Sequence, residues 1–134
     1  MHTFEIPGHP KVQKQTRVNN GRFYDPSHKD RLYIQQIAEC NKPDHIFTKA
    51  TEMHLTFFRG VPKSASKALR EKMLNHVILP ITRPDVDNNA YLVTNALKSI
   101  IYFDDSLITD LHIYKRYAET PHTLVNVKEI TNED

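Results

Sequence analysis

Four aspartates bracket one short stretch of this chain. In "RPDVDNNAYLVTNALKSIIYFDD", Asp85 and Asp87 stand one residue apart near the start, and Asp104 and Asp105 adjoin at the end. Carboxylates of this kind hold hard divalent cations, with water and phosphate oxygens filling the remaining positions. A cation so held polarises a phosphoryl oxygen, activates water and stabilises a leaving oxygen. The matching chemistry is phosphodiester hydrolysis. A structural reading competes with it. Asp is a favoured helix N-cap, negative charge is favoured at a helix start, and an Asp-Asp pair suits a turn. Two carboxylates at one helix entry exceed what a cap requires, however, and they repel each other unless a cation or a raised pKa relieves them. The metal reading requires the 104–105 turn to come near the helix entry.

The cations are clustered. Lys11, Lys14, Arg17, Arg22, Lys29 and Arg31 dominate the first 35 residues, and Arg59, Lys63, Lys67, Arg70 and Lys72 form a second group. After Glu119 the chain turns acidic, with Glu129, Glu133 and Asp134 outweighing Lys128. The net charge is only +2, so a basic surface must come from this clustering. Clustered Lys and Arg suit a polyanion, because each cation near a phosphate releases condensed counterions. The alternative is an ordinary solvated surface.

The elements that must position these groups follow from periodicity. "TFEIP" (Thr3–Pro7) predicts a strand ended by Pro7, Gly8 and Pro10. Residues 8–25 are polar and basic, which predicts a long loop or loose hairpin. Helical spacing of Tyr33, Ile34, Ile37 and Ala38 predicts a helix in "DPSHKDRLYIQQIAEC". "TEMHLTFF" alternates, with Met53, Leu55 and Phe57 on one face. A helix in "SASKALREKMLNH" takes Ser64 or Ser66 as its cap and buries Leu69, Met73 and Val77. After Asp87, the apolar stripe Val93, Ala96, Leu97 and Ile100 defines a helix whose polar ridge carries Asp87, Tyr91, Asn95 and Lys98. Leu107, Leu111 and Ile113 then mark one face of a strand, and "TLVNVKEI" a last strand hairpin-paired with it through the turn at Pro121. This order predicts an α+β fold, a small mixed sheet packed with helices, in one domain over residues 1–134.

Composition excludes several classes. The chain has 134 residues and is 39% hydrophobic, the size and content of one ordinary domain. A single Cys40 excludes an intrachain disulfide framework. The eight histidines lack zinc-ligand spacing. Three glycines form no phosphate-cradling loop, so no small-molecule cofactor is expected. There is no repeat, no membrane-length apolar run and no signal-peptide core near Met1, so the expectation is a soluble intracellular protein with no membrane partner. Phe23 and Tyr24 are read first as core, with stacking on an opened base as the alternative. Phe58 lies on the outer side of its strand, a candidate interface residue.

The ordered set of motifs resembles the RusA-type Holliday-junction resolvases. The resemblance is carried by Asp-x-Asp-Asn entering a helix, Asn-Ala-Leu near its end, and an Asp-Asp turn before the strand "SLITDLHIYK". The basic opening "IPGHPKVQKQTRVNNGRFYDP" and the helix entry in "FFRGVPKSASKALREKML" fit as well. The resemblance implies a Mg²⁺-dependent endonuclease, with Mn²⁺ substituting. It would act as a homodimer that nicks four-way DNA junctions symmetrically in recombination and repair, in the cytoplasm at the nucleoid. It implies metal-binding, catalytic acids at Asp85, Asp87 and Asp105, with Asp104 beside them. Asn88 and Tyr91 are then supporting residues, and Lys11, Lys14, Arg17, Arg22 and Arg83 are candidate DNA contacts. One position departs. Members of that family usually carry a lysine four residues after the second Asp, and here that position is Tyr91, which donates a hydrogen bond but brings no charge. Arg83 or the basic loop would have to supply a cation; otherwise the chain binds branched DNA and cuts it slowly or not at all. A third reading is a small interaction domain whose acids only cap a helix and fill a turn.

Overall fold

The computed structural model describes residues 1–131. Strand β4 (Thr51–Gly60) runs through the middle of the main sheet. Its alternation is realised as expected: Met53, Leu55 and Phe57 are buried, while Glu52, His54 and Thr56 are half-buried on the other face. The sheet order is β1-β6-β4-β5, with β1 at His2–Pro7, β5 at Ile108–Ala118 and β6 at His122–Glu129. β6 lies antiparallel to both β1 and β4, whereas β5 lies parallel to β4. The fold is therefore α+β with a small mixed sheet, as the sequence predicts.

Helices α1 (His28–Cys40) and α3 (Val86–Ala96) contribute to one core cluster with that sheet. Ile34 and Ala38 come from α1, and Ala90, Leu92, Val93 and Ala96 from α3, with Leu97 just beyond it. They meet Phe4, Ile6, Val125 and Val127 of the neighbouring strands. The other sheet face is polar and aromatic. His54 stacks on His112 at 4.3 Å between ring centroids, and Phe58 stacks on His122 at 4.5 Å.

Several local expectations fail for non-local reasons. β5 and β6 are consecutive but do not pair; β4 lies between them. Their connection crosses the end of β4, where Pro121 lies over Gly60 and its carbonyl accepts from Gly8 N at 3.2 Å. The more completely apolar β4 takes the central position, and β5 becomes an edge, leaving Leu111 42% exposed. Helix α2 (Lys67–Leu74) starts at Ser66, whose hydroxyl accepts from Leu69 N at 3.2 Å. It buries Met73, but Leu69 is exposed, and the helix ends before Val77, which is exposed too. The acidic residues Glu133 and Asp134 lie outside the described residues.

The basic segment is ordered in two parts. Residues 8–16 form a loop, and Arg17–Asn19 (β2) pairs with Arg22–Tyr24 (β3) across Asn20-Gly21. Both turn residues adopt positive φ, 52° and 76°, which suits a tight two-residue hairpin turn. Val18, Phe23 and Tyr24 are exposed, so the core reading of the two aromatics is corrected.

Truncating the centre of the core should be costly. Leu55→Ala, at a fully buried position, should lower unfolding free energy by about 2–5 kcal/mol, read as a shift in the urea midpoint with an unchanged slope.

Candidate active site at the entry of helix α3

Asp85 occupies the N-cap position of α3, but its side chain makes no capping hydrogen bond. Its backbone carbonyl receives Asn89 N instead, at 3.4 Å. Asp87, in the first turn, is exposed like Asp85. Among the described residues, no hydrogen bond or ion pair engages either carboxylate. The structural reading of Asp85 as a cap is therefore fulfilled by its backbone alone, and the side chain stays available. Negative charge here also faces the positive end of the helix dipole.

The basic loop is pinned beside these acids. Asn89 is 2% exposed, and its amide donates to the Lys11 carbonyl at 2.8 Å. Gln13 N donates to the Asn88 carbonyl at 3.2 Å, so Asn88 supports the loop through its backbone. From the other side, Lys14 N donates to the buried Ser27 hydroxyl at 2.7 Å, and Arg31 donates to the Gln13 side chain at 2.9 Å. Lys11, Lys14, Arg17 and Arg22 all remain exposed. Lys14, Gln13, Asn88 and Tyr91 share one concave surface, and Tyr91 is 58% exposed.

A second anchor holds the connector into α3. Arg59 donates to the Thr82 hydroxyl at 2.7 Å and to the Pro84 carbonyl at 3.0 Å. Lys115 donates to the carbonyls of Thr82 and Pro84 at 2.8 and 3.2 Å. Partial burial and the neighbouring Arg59 push the Lys115 ammonium pKa down, and Asp85 partly opposes this. Two cations that both donate to the Pro84 carbonyl thus fix the residue before Asp85. Arg83, between them in sequence, points its share of charge to solvent as an exposed residue.

The other acid pair sits elsewhere. Asp104 accepts from Ser106 N at 3.2 Å and pairs with Lys98 at 3.2 Å. Its hydrogen bonds to Ser106, and then to Lys98, hold its pKa below the ordinary range. Asp104 is thus the capping, turn-forming residue that the structural reading expected. Asp105 opens the 3-10 turn Asp105–Leu107 that leads into β5. Lys98 lies beyond the last residue of α3, so its expected place on the helical ridge is corrected to a partner of Asp104. Behind the turn, burial and then the charges of Asp105 and Asp104 raise the Tyr102 pKa strongly, and its hydroxyl donates to the Thr94 carbonyl.

The expected convergence of the four acids does not occur within one protomer. Asp85 and Asp87 lie at the start of α3 and Asp104 beyond its end, and the 11 residues of α3 span about 16 Å. Lys115, next to Asp85, lies seven strand positions after Ile108, a separation of about 23 Å. Among the described residues, no group of three or more acid, His or Cys side chains is placed to hold a metal.

Sequence reasoning passed over Asn89, Lys115 and Arg59. Two of them carried a signal. Asn89 falls four residues before Val93, on the apolar stripe, where a polar side chain needs a partner. Lys115 shares the register of Leu111 and Ile113, so an ammonium on that face also calls for acceptors.

With this geometry in view, the comparisons fix the class. The chain matches the family described as "Endodeoxyribonuclease RusA" over residues 7–128 and belongs to that family. The family gives it the role of a nuclease in Holliday-junction resolution, a type of enzyme that generally depends on a divalent metal. It is 34% identical to the protein named "Uncharacterized protein YqaN" of Bacillus subtilis (strain 168), with 96% of each chain covered. No helix among the described residues is long and apolar enough to cross a membrane.

If Asn89 is the main tie between loop and helix, Asn89→Ala should cost about 1–2 kcal/mol. It should also accelerate amide exchange at Gln13 and Lys14, measured by hydrogen–deuterium exchange. Unchanged exchange would assign the anchoring to Ser27 and Arg31 alone.

Proposed function

We propose that this chain is a Mg²⁺-dependent endonuclease that acts as a homodimer and introduces paired, symmetric nicks into four-way DNA junctions, with Mn²⁺ able to substitute. The observation carrying this reading is that Asp85 and Asp87 keep unengaged carboxylates at the entry of α3, directly beside a pinned basic loop, in a chain of the RusA family. Residues 1–134 then form one endonuclease domain, working on DNA at the nucleoid.

The donor set fits a hard cation, since oxygen ligands with no competing hydrogen bonds are what such an ion takes. When bound, it supplies water activation and stabilisation of the leaving oxygen. Asp85 and Asp87 would hold it. Because Asp105 lies about one α3 length away in the same protomer, its contribution comes from the second subunit. Two exposed apolar side chains support such a contact. Ile81, 91% exposed, lies near Asp85 in the chain, and Phe103, 66% exposed, adjoins Asp104. A two-fold contact joining the two acid pairs would cover both. Two-fold symmetry also produces two identical sites, which matches the approximate symmetry of a four-way junction. Lys11, Lys14, Arg17, Arg22 and Arg83 are the proposed phosphate contacts.

The second reading, a junction-binding protein with little or no cleavage, rests on Tyr91, which lacks the charge of the family lysine. Lys115 counts against it, because that ammonium sits beside Asp85 and offers a nearby cation.

Mixed dimers separate the arrangements. Asp85→Asn and Asp105→Asn homodimers should each bind Mn²⁺ more weakly and fail to cut a labelled four-way junction. Mixed together, they should regain nicking, because one of the two composite sites then keeps both acids. Continued inactivity of a verified mixed dimer would place Asp85 and Asp105 in the same subunit's site, against this reading. Separately, Tyr91→Lys should raise the single-turnover cleavage rate by roughly tenfold. An unchanged or lower rate would mean that Lys115 or the loop already fills that role.

A further inference from the structure

The β2–β3 hairpin has two different faces, and among the described residues both are largely open. Val18 and Phe23 are direct partners in the register and share one face. The pairs Arg17–Tyr24 and Asn19–Arg22 lie on the other face. Phe23 is 80% exposed, Val18 60% and Tyr24 45%. A large aromatic left so open on a strand beside a two-residue turn calls for an occupant.

Charge selects the class of occupant. From Gly8 to Tyr24 the chain carries Lys11, Lys14, Arg17 and Arg22 and no Asp or Glu. Two copies of so basic a hairpin repel, which disfavours mutual packing in a dimer. A polyanion is attracted by the same charges. The loop leading to the hairpin is tied to Asn88 and Asn89, so the hairpin projects from the α3 entry rather than from a remote edge.

We infer that the hairpin is a branch-reading arm: Phe23 stacks on the face of a base exposed at a DNA branch point, while Arg17 and Arg22 engage the flanking phosphates. Aromatic side chains interleaved with cations form the platform on which unstacked bases bind, because every base has a π-face. An intact duplex buries those faces in its own stack and offers only edges. A branch point frees them. The hairpin thus distinguishes branched from linear DNA, and the phosphate contacts alone would not. This rests on the nuclease reading above and specifies how its substrate is chosen.

The test uses the full chain, a four-way junction, and a linear duplex of the same sequence. Phe23→Ala should weaken junction binding about tenfold and leave duplex binding within about twofold. Phe23→Tyr should retain junction binding. A 2-aminopurine placed beside the branch should brighten on binding wild type and stay dim with Phe23→Ala. Arg22→Gln should weaken both DNAs and flatten the salt dependence. Equal loss on junction and duplex, or no loss, would overturn the inference. Conversion of a dimer to a monomer by Phe23→Ala in sedimentation would also overturn it, by assigning the hairpin to a second copy. Should wild type cut junctions normally while Phe23→Ala cuts and binds equally well, only the arm is refuted. Should wild type neither prefer nor cut junctions, the nuclease reading falls and the arm with it.

Discussion

Helix α3 packs into the core through Ala90, Leu92, Val93 and Ala96, and this burial along its length fixes where each candidate acid sits. A packed helix is a stiff rod, and its ends cannot approach each other. Asp85 and Asp87 are held at one end, and the Asp104–Asp105 turn follows the other. The return strand β5 does not undo that separation, because its first residues lie near the far end and it is Lys115, seven positions later, that reaches the start. In the proposed reading, a site that uses both acid pairs draws on a second molecule, and the reason is the length of one helix.

The α3 entry concentrates opposite charges without neutralising them. Asn89, Gln13 and Ser27 position the basic loop through backbone contacts, which leaves the loop's ammonium and guanidinium groups in solvent. Arg59 and Lys115 donate to carbonyls, so among the described residues the carboxylates of Asp85 and Asp87 form no ion pair. Polar groups that satisfy backbone atoms thereby keep the charged groups open to a phosphate and a cation. At the opposite end the logic is reversed. Lys98 and Ser106 consume Asp104, which makes Asp105 the more available acid of that pair.

The position at which the family resemblance leads one to expect a lysine is Tyr91, and its tertiary neighbours bear on that departure. Tyr91 faces the same concave surface as Lys14, so a loop cation lies beside it. Lys115 approaches from the sheet side. Cationic character near the α3 entry is thus contributed by the loop and by β5, two elements distant in sequence.

Local periodicity was sufficient for the strands and helices. Alternation in 51–58 yields β4, the three-and-four spacing after Asp87 yields α3, and Ser66 marks the start of α2, because each depends on neighbours a few residues apart. The residue types at Asp85, Asp87 and Asp105 likewise motivate the metal chemistry proposed above. Pairing was not legible in this way. An alternating pattern states that a segment is a strand but not which strand lies beside it, so β4 could separate β5 from β6 against the hairpin expectation. Exposure of Phe23 was equally hidden, since whether an aromatic finds a core depends on where its hairpin projects. The distance between the two acid pairs belongs to the same category: it is set by the packing of α3 against strands from both ends of the chain, and no residue within 83–105 encodes it alone.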